Sequence, residues 1–334
     1  MNNKKYNIAV VGATGAVGRE TIEILHERKF PYNKVLAIAS DESLGKKVSF
    51  GDKNLTIDSL EHTKWEDVNL VFSSAGSSVT KLFIDKLPKD CILIDKTELY
   101  RLDPLVPLII PEVNINTLSQ YKNKNIIANP NCCVIPIAMT LSALGQDNKI
   151  KRVIISTYQS MSGAGRNAMH NLYEQTKNRF VYNDDSDEES QDKIAFNLTP
   201  QIGKLEKNFY TEEENKITAE LKRILGQEIG ISVTSVRVPV FISHCFSINV
   251  EMEKIFDIEE LAVKLINFNG IHFTHDIISP VDASGKDEVF VARLRQDHSN
   301  PKALNLWITS DNLRKGAALN AVQIAEKVID ELQI

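Results

Sequence analysis

The chain has 334 residues, 43% of them hydrophobic and 25% charged, and a formal net charge of −5. This composition provides enough apolar side chains for a sizeable core and is typical of a globular chain with two domains. The weak negative charge gives no overall attraction to nucleic acid or to an anionic membrane surface, so we expect neither as a partner.

The N-terminus and the cysteines indicate where in the cell the protein is found and whether it carries a metal site or disulfides. The first residues lead into a predicted strand without the apolar segment of a signal peptide, and no stretch is long enough to span a membrane. The four cysteines lack the C-x-x-C spacing of zinc sites, and a reducing cytosol disfavours disulfides. We expect a cytoplasmic protein without a metal site.

The first predicted strand, residues 6–11, leads into a glycine-rich turn. The turn reads Gly12-Ala-Thr-Gly15-Ala-Val-Gly18, and a helical pattern follows over residues 19–27. In a strand, turn and helix of this order, glycines let the backbone approach a pyrophosphate held at the helix N-terminus. The spacing is a variant of the usual fingerprint, so it is the context that predicts dinucleotide binding.

The first part of the chain continues as an alternation of strands with helical or turn segments. Further strands are predicted at residues 35–39, 70–73, 92–95 and 126–128. This alternation predicts an α/β fold with a Rossmann-type, doubly wound parallel sheet. Ligands of such sheets bind beyond the carboxyl ends of the strands.

Cys132 lies between the predicted strand at residues 126–128 and a predicted helix at residues 134–144. The unpaired N–H groups and the positive dipole end of a helix N-terminus favour a thiolate, which is a nucleophile. The alternative is a buried cysteine that packs as a small hydrophobic residue, and for an isolated cysteine that alternative is favoured.

Longer, β-branched strands are predicted after residue 148, at residues 152–158, 231–240, 244–251, 288–295 and 305–309. Long mixed or antiparallel strands suit an α+β domain that carries substrate contacts and a subunit interface. The acidic segment at residues 183–190 is typical of a solvated surface loop. An amphipathic, alanine-rich helix is predicted over residues 310–332. We therefore predict a dinucleotide-binding domain (1–131), a catalytic and dimerisation domain (132–309) and a C-terminal helix (310–334) that returns to the first domain.

The motifs, taken in order, resemble the aspartate-β-semialdehyde dehydrogenase family over essentially the whole chain. The matching segments are residues 12–18, 111–114, 129–132, 157–165, 209–216, 237–240 with His244, and 310–318. The resemblance implies reduction of β-aspartyl phosphate to aspartate semialdehyde with release of inorganic phosphate, in the biosynthesis of lysine (through diaminopimelate), threonine and methionine. It also implies a homodimer or a dimer of dimers with a small-molecule substrate.

The resemblance assigns roles to individual residues. Cys132 is the nucleophile that forms a thioester, His244 the acid/base catalyst, and Gln159 orients the acyl group. Substrate binding falls to Arg101, Asn131, Glu213, Lys216 and Arg237. Cofactor binding falls to Gly12, Thr14, Gly15, Ala16, Val17, Ser40, Glu42, Ser43, Ser74, Gly76, Ser162, Gly163 and Asn320.

Each of these side chains also has an ordinary structural alternative. His244 follows Arg237 on a predicted hairpin and, without the motif, fits a core or turn histidine. Glu213 and Lys216 are spaced i, i+3 on a predicted helix, which also suits a surface ion pair.

The chain departs from the family pattern at three places. Asp41 and Glu42 follow the second predicted strand, and Glu42 stands where an arginine of the family meets the 2′-phosphate of NADP. The family default of NADP(H) is therefore weakened and NAD(H) use becomes possible, with Lys46 and Lys47 nearby. Lys96 and Glu98 replace small polar residues and are expected to pair with each other. Cys133 replaces a hydroxyl residue after the nucleophile.

Two alternatives to the aspartyl enzyme stay open. A related acyl-phosphate reductase, of the N-acetyl-glutamyl-phosphate type, shares the cysteine and histidine chemistry. A non-catalytic nucleotide-binding protein on the same fold is expected to lose some of the residues that the enzyme needs. All seven of these residues are present in the chain: Cys132, His244, Arg237, Arg101, Gln159, Glu213 and Lys216.

Overall fold

The computed structural model describes residues 4–181, 193–226 and 228–332, which divide into two compact units. One unit comprises the chain up to Asn131 together with the segment from Gly316, and the other comprises Cys132–Lys315. The acidic segment at residues 183–190 lies outside the described residues. Across the described ranges, no helix is both long enough and apolar enough to cross a membrane.

The strands and helices are numbered in chain order. The strands are β1 (Tyr6–Val11), β2 (Tyr32–Ile38), β3 (Lys47–Phe50), β4 (Lys53–Asp58), β5 (Leu70–Ser73), β6 (Ile92–Asp95), β7 (Ile126–Ala128), β8 (Ile150–Gln159), β9 (Gly230–Arg237), β10 (His244–Met252), β11 (Ile271–Phe273), β12 (Val289–Gln296) and β13 (Ala303–Ser310). The α-helices are α1 (Ala16–Glu27), α2 (Ser77–Phe83), α3 (Pro111–Asn114), α4 (Val134–Leu144), α5 (Arg166–Val181), α6 (Glu212–Leu225), α7 (Ile258–Asn267), α8 (Pro280–Ala283) and α9 (Leu319–Leu332).

Within the described part of the chain, the first unit is built on a seven-stranded sheet of order β3-β4-β2-β1-β5-β6-β7. The strands from β4 to β7 in this order pair in parallel, and β3 pairs antiparallel with β4 at one edge. The predicted doubly wound parallel sheet is confirmed. From β1 the chain adds β2 on one side of the sheet and β5 to β7 on the other. The carboxyl end of β1 is therefore a topological switch point, where ligands bind in such folds.

The edge hairpin β3–β4 is absent from the sequence prediction. Each strand begins with an exposed lysine, Lys47 or Lys53, and in β3 exposed residues alternate with the buried Val48 and Phe50. Short, charged strands of this kind are typical of sheet edges, where pairing to a further strand is prevented. Their apolar signal is therefore too weak to stand out in the sequence.

Helix α9 packs in the first unit, against α1. Ile22 and Leu25 of α1 share one buried cluster with Val322 and Ala325 of α9 and with Ile8 of β1. Alanines along α9 allow close approach of the two helices. Burial of this apolar area, at roughly 25 cal/mol per Å², is what holds the C-terminal segment on the sheet.

The second unit contains, among its described residues, a six-stranded sheet of order β11-β12-β13-β10-β8-β9. Strands β8 and β9 are parallel, as are β11 and β12, and the other neighbours are antiparallel. The predicted long strands of a mixed sheet are confirmed. The predicted hairpin carrying Arg237 and His244 is wrong, because β9 pairs with β8, which separates it from β10.

Two further expectations differ from the structure. The helix predicted from residue 310 begins at Leu319, after a turn and a π-helical segment, Arg314–Ala318. The side chain of Asp311 causes this difference, because its carboxylate accepts the N–H groups of Leu313, Arg314 and Gly285 and holds a turn. Lys96, which was expected to pair with Glu98, is buried and donates from Nζ to Thr21 Oγ1 of α1.

Candidate active site

The register of the six-stranded sheet gathers three candidate site residues at one end. Gln159 and Arg237 are the last residues of β8 and β9 and pair across these parallel strands. His244 is the first residue of β10, and the antiparallel partner of its neighbour Cys245 is Tyr158 of β8. The three side chains therefore belong to adjacent strands at the same end of the sheet.

Cys132 lies two residues before α4, which begins at Val134. Its Sγ is 3.4 Å from His244 Nε2, and His244 is 1% exposed whereas Cys132 is half-buried. The prediction that this cysteine stands at a helix N-terminus is confirmed. A thiol here is reachable from outside and lies next to both a helix dipole and an imidazole, two features that favour the reactive thiolate.

The hydrogen bonds of His244 determine its tautomer. The backbone N–H of Ser160 donates to Nδ1 at 3.0 Å. A backbone N–H cannot accept a hydrogen bond, so Nδ1 presents its lone pair and the proton of the neutral ring lies on Nε2. The Nε2–H group is then the one directed at the sulfur of Cys132.

The same hydrogen bond bears on metal binding. Sulfur and nitrogen atoms of Cys132, Cys133 and His244 lie within 4.8 Å of one another, close enough in principle for a shared ion. A histidine that binds metal through Nε2 carries its proton on Nδ1 and donates it to an oxygen atom. Here Nδ1 accepts the N–H of Ser160, which suits a nucleophile and its proton donor better than a metal centre.

Arg237 lies beside His244. Its Nη1 donates to the carbonyl oxygen of Ser160 at 2.7 Å. A Cβ atom built on Gly163 would lie 3.1 Å from Arg237 Nη1 and 3.2 Å from His244 Cε1, so Gly163 is in contact with both side chains. A guanidinium at this place is suited to a bidentate grip on a carboxylate.

Cys133 is fully buried behind the nucleophile. Burial raises the pKa of its thiol well above the ordinary value, and the neighbouring Cys132 and the charge of Glu213 act in the same direction, against Arg237. Cys133 therefore stays a thiol at neutral pH. The charges of Glu213 and Arg237 thus both act on Cys133, with opposite effects on its pKa.

Helix α6 brings the acidic candidate to the site. Thr211 and Glu214 form a capping box at its N-terminus, and Glu213 lies in the first turn. Glu213 Oε1 accepts a hydrogen bond from Gln159 Nε2 at 3.2 Å. Lys216, one turn further along the same helix, is half-buried. The second unit thus brings together Cys132, His244, Gln159, Arg237 and Glu213.

Arg101 and Asn131 belong to the first unit. The guanidinium of Arg101 donates to the carbonyl oxygens of Asn129 and Lys96 at 3.0 and 2.9 Å. Asn320, which is fully buried, donates from Nδ2 to Asn129 Oδ1 at 2.8 Å. Asn320 therefore supports the segment that precedes the nucleophile, and its assignment to the cofactor stays a prediction.

The glycine turn after β1 requires glycine for steric reasons. Gly12 has φ +88°, and a Cβ on it would lie 3.0 Å from atoms of Ser74 and Ala75. A Cβ on Gly18 would lie 2.0 Å from the carbonyl oxygen of Gly12. The glycines thus let the turn pack closely against the start of α1. This close packing is what binding of a pyrophosphate at the helix N-terminus requires, so these residues fit a dinucleotide.

A cavity of about 570 Å³ opens beside this turn, and we call it the glycine-turn cavity. Gly12, Thr14 and Ser40 line it, at the carboxyl ends of β1 and β2. Seven other predicted cofactor residues lie within three positions of a lining residue in the chain: Gly15, Ala16, Val17, Glu42, Ser43, Ser74 and Gly76. Asn320 belongs to the first unit but does not line the cavity, and Ser162 and Gly163 belong to the second unit.

The charged residues of the glycine-turn cavity were not all foreseen. Among the described residues, its wall includes Asp41, Glu61 and Lys86 but not Glu42. Glu42 is exposed in the same short 3₁₀ turn as Asp41. In the sequence, the acidic pair at residues 41 and 42 indicated that the cofactor preference differs from the family default. Only the conformation of the turn decides which of the two residues lines the cavity.

Sequence reasoning also missed Asn312, whose side chain lies behind His244. It belongs to the segment at residues 310–318 that resembles the family, but that resemblance assigned Asn312 no role. Asn312 Oδ1 accepts hydrogen bonds from Ser243 N, Ser162 Oγ and Ser160 Oγ at 2.9, 2.9 and 3.2 Å. These contacts join the residues on both sides of the histidine.

Comparisons with known proteins agree with the two units. Residues 7–121 match the family model "Semialdehyde dehydrogenase, NAD binding domain", and residues 141–315 match "Semialdehyde dehydrogenase, dimerisation domain". The chain is 54% identical over 333 residues to the aspartate-semialdehyde dehydrogenase of Rickettsia conorii and 40% identical over 338 residues to that of Aquifex aeolicus. Each alignment covers 98% of both chains.

Comparison with a solved structure supports the same family. The crystal structure of aspartate semialdehyde dehydrogenase II from Vibrio cholerae superposes with a TM-score of 0.93 at 37% identity, covering 98% of this chain and 99% of that chain. The predicted α/β fold class is thereby confirmed. With relatives of this identity along nearly its full length, the chain belongs to the aspartate-semialdehyde dehydrogenase family.

Proposed function

We propose that the protein is an aspartate-semialdehyde dehydrogenase that reduces L-β-aspartyl phosphate to L-aspartate 4-semialdehyde and releases inorganic phosphate. The observation that carries this proposal is the pair formed by Cys132 Sγ and His244 Nε2, 3.4 Å apart. The names of the relatives support the substrate, which lies in the biosynthesis of lysine (through diaminopimelate), threonine and methionine.

The proposed reaction begins at Cys132. Its thiolate attacks the acyl carbon, the bond from that carbon to the phosphate oxygen breaks, and phosphate leaves with the bonding electrons. The resulting thioester is more easily reduced than a carboxylate. The hydride for this reduction would come from a reduced nicotinamide bound in the first unit. When the carbon–sulfur bond then breaks, the thiolate is regenerated.

His244 acts on the sulfur in this scheme. With its proton on Nε2, the ring donates a hydrogen bond to the thiolate before attack and again when the sulfur departs. Stabilising the anionic sulfur at both points lowers the barrier for forming and for breaking the thioester. Gln159 lies beside these atoms and is proposed to orient the acyl group.

Charged residues are proposed to hold the substrate's charged groups. Arg237 binds the α-carboxylate, and Glu213 binds the α-ammonium group. Lys216 and Arg101 bind the phosphate. The influence of Glu213 and Arg237 on the pKa of Cys133 supports this arrangement, because it places opposite charges near the nucleophile, as an amino-acid zwitterion requires.

The acidic wall of the glycine-turn cavity supports use of NAD(H) in addition to NADP(H). A carboxylate at the end of β2 accepts hydrogen bonds from a ribose 2′-OH and repels a 2′-phosphate. Two like charges about 4 Å apart repel by roughly 1 to 4 kcal/mol, depending on the local dielectric. Asp41 lines the cavity, whereas Glu42 of the same exposed turn does not, so we propose that Asp41 contributes more to the preference.

The cofactor proposal is tested with a matched pair of variants. Asp41→Asn and Glu42→Gln each remove one negative charge from the same turn. We expect Asp41→Asn to raise the ratio of kcat/KM for NADP to that for NAD by about tenfold, with a smaller change for Glu42→Gln. A ratio that both variants leave unchanged, or NAD turnover that is undetectable in the wild type, would contradict the proposal.

The activity itself is tested in the reverse direction. The full-length protein of 334 residues is assayed with aspartate semialdehyde as substrate, and phosphate-dependent reduction of NADP and of NAD is followed. N-acetylglutamate semialdehyde, run in parallel, tests the related acyl-phosphate reductase. Turnover with the aspartyl substrate supports the proposal, and turnover with only the acetylated substrate, or with neither, overturns it.

We further propose that the active form is a cytoplasmic homodimer or a dimer of dimers. The match of residues 141–315 to a dimerisation domain supports self-association. Sedimentation velocity at several protein concentrations distinguishes the two assemblies, and a monomer at assay concentration is the result that contradicts the proposal.

A further inference from the structure

Asn312 is a buried polar residue to which the family resemblance assigns no role, and its side-chain oxygen is hydrogen-bonded to Ser160, Ser162 and Ser243. It is 3% exposed and follows β13 in the turn before the π-helical segment. Its Oδ1 atom accepts from three donors that belong to two separate segments of chain, at residues 160–162 and at residue 243. A single carbonyl oxygen thus ties together the residues that flank His244 in space.

The first of these donors is the backbone N–H of Ser243, the residue just before His244. Ser243 has φ +75°, a left-handed conformation that is uncommon for a residue other than glycine and costs on the order of 1 kcal/mol or more. Such a conformation persists only where the surroundings hold it. The hydrogen bond to Asn312 is one such restraint, and it sets the direction in which the next residue leaves the turn.

The second contact is with Ser160, whose backbone N–H determines the tautomer of His244. The hydroxyl of Ser160 lies 3.2 Å from Asn312 Oδ1, 3.0 Å from Ser162 Oγ and 3.1 Å from His244 Nδ1. Ser162 in turn donates to Asn312 Oδ1 at 2.9 Å. The serine pair and Asn312 therefore form a closed network on the side of the imidazole that faces away from Cys132.

We propose that Asn312 is a positioning residue that, through Ser160 and Ser243, keeps the Nε2–H group of His244 directed at Cys132 Sγ. The residue acts through the histidine and not on the substrate. The proposal rests on the proposed function only for its kinetic test, because the reactivity of Cys132 and the tautomer of His244 can be measured without substrate.

The kinetic test compares three variants of the full-length protein. Asn312→Ala removes the acceptor, and Asn312→Asp keeps an oxygen in its place. Asn249→Ala is the matched control, since Asn249 is an amide of the same sheet that donates to Asp297 and Asn305, five residues along β10 from the histidine. It removes a comparable polar network away from the site.

We expect Asn312→Ala to lower kcat by about 100-fold with KM within about threefold of the wild type, because misplacement of a catalytic group by about 1 Å has effects of that size. Asn312→Asp should recover to within about tenfold of the wild type, and Asn249→Ala should keep its kcat. A kcat for folded Asn312→Ala within twofold of the wild type, or an equal loss in Asn249→Ala, overturns the proposal.

Two measurements stand apart from the activity. The rate of alkylation of Cys132 by iodoacetamide, followed by mass spectrometry, should fall about tenfold in Asn312→Ala and not in Asn249→Ala. The nitrogen NMR spectrum of ¹⁵N-histidine-labelled wild type, assigned with His244→Asn, should show Nδ1 without a proton. Protonated Nδ1 overturns the proposal even if Asn312→Ala does not fold. If the wild type shows no turnover of aspartate semialdehyde but the alkylation and NMR results are as expected, only the proposed function is refuted.

Discussion

Lys96 is a buried amine in the core of the first unit, and it makes the stability of that unit depend on pH. The side chain is 8% exposed, its Nζ donates to Thr21 Oγ1 of α1, and it lies 5.7 Å from the ring centre of Phe72. Removal from water lowers the pKa of Lys96 from 10.5 to about 7, and the neighbouring charge of Asp95 offsets this only in part.

The direction of the effect follows from proton linkage. Between about pH 7 and pH 10.5 the unfolded chain holds a proton on Lys96 that the folded protein does not, so the free energy of unfolding rises with pH in this window. Below about pH 6 both states are protonated, and the group adds no further pH dependence. From pH 7 to pH 9 the expected gain is about 2 kcal/mol.

The perturbation is Lys96→Met, which keeps the length of the side chain and removes the titrating group. We expect the difference in unfolding free energy between wild type and variant to shift by about 2 kcal/mol in favour of the wild type from pH 7 to pH 9. At pH 6 the variant should be the more stable protein, because the wild type then buries an ammonium ion.

The assay is urea unfolding followed by the fluorescence of Trp65, which lies in the first unit and stacks on Phe83. Replacing the second tryptophan, Trp307→Phe, in all proteins leaves Trp65 as the single reporter. Lys34→Met, at an exposed position of β2, controls for removal of a lysine from the surface. Parallel stability curves for wild type and Lys96→Met from pH 6 to pH 9 would refute the reasoning.

Three further outcomes are expected. Cys132→Ser should nearly abolish turnover while Cys133→Ser keeps most of it, since a hydroxyl is a far poorer nucleophile than a thiolate; a trapped thioester on Cys133 in mass spectrometry would reverse the assignment. Lys216→Met should raise the KM for phosphate in the reverse reaction more than the KM for the semialdehyde, and an unchanged phosphate dependence would remove the lysine from the phosphate site. Thr211→Ala should lower the free energy of unfolding by about 1 kcal/mol through loss of the α6 cap, and an unchanged urea midpoint would show that the capping box contributes nothing.

The sequence by itself determined the elements that have strong local signals. The strands at residues 70–73, 92–95 and 126–128 and the helix at residues 134–144 were predicted with the bounds that the structure shows. Continuous apolar runs buried on both faces produce this signal without reference to distant residues. The glycine turn and Cys132 were found for a related reason, because each depends on the strand and helix immediately beside it.

Only the tertiary structure decided the pairing of strands and the contacts across them. Insertion of β8 between β9 and β10 separates residues that are seven apart in sequence, Arg237 and His244, and turns a predicted hairpin into two ends of a mixed sheet. Local patterning specifies which residues form a strand but not which strand lies next to it, since pairing depends on long-range packing.

The same limit applies to the side chains around the site. Asn312 reaches Ser160 across 152 positions of chain, and Lys96 reaches Thr21 across 75. Neither contact leaves a mark in local composition, and a lysine in the sequence ordinarily indicates an exposed side chain. The sequence therefore determined the reactive groups and their motifs, whereas burial and long-range hydrogen bonds, which arise only when distant segments pack together, decided the tautomer of His244 and the pKa of Lys96.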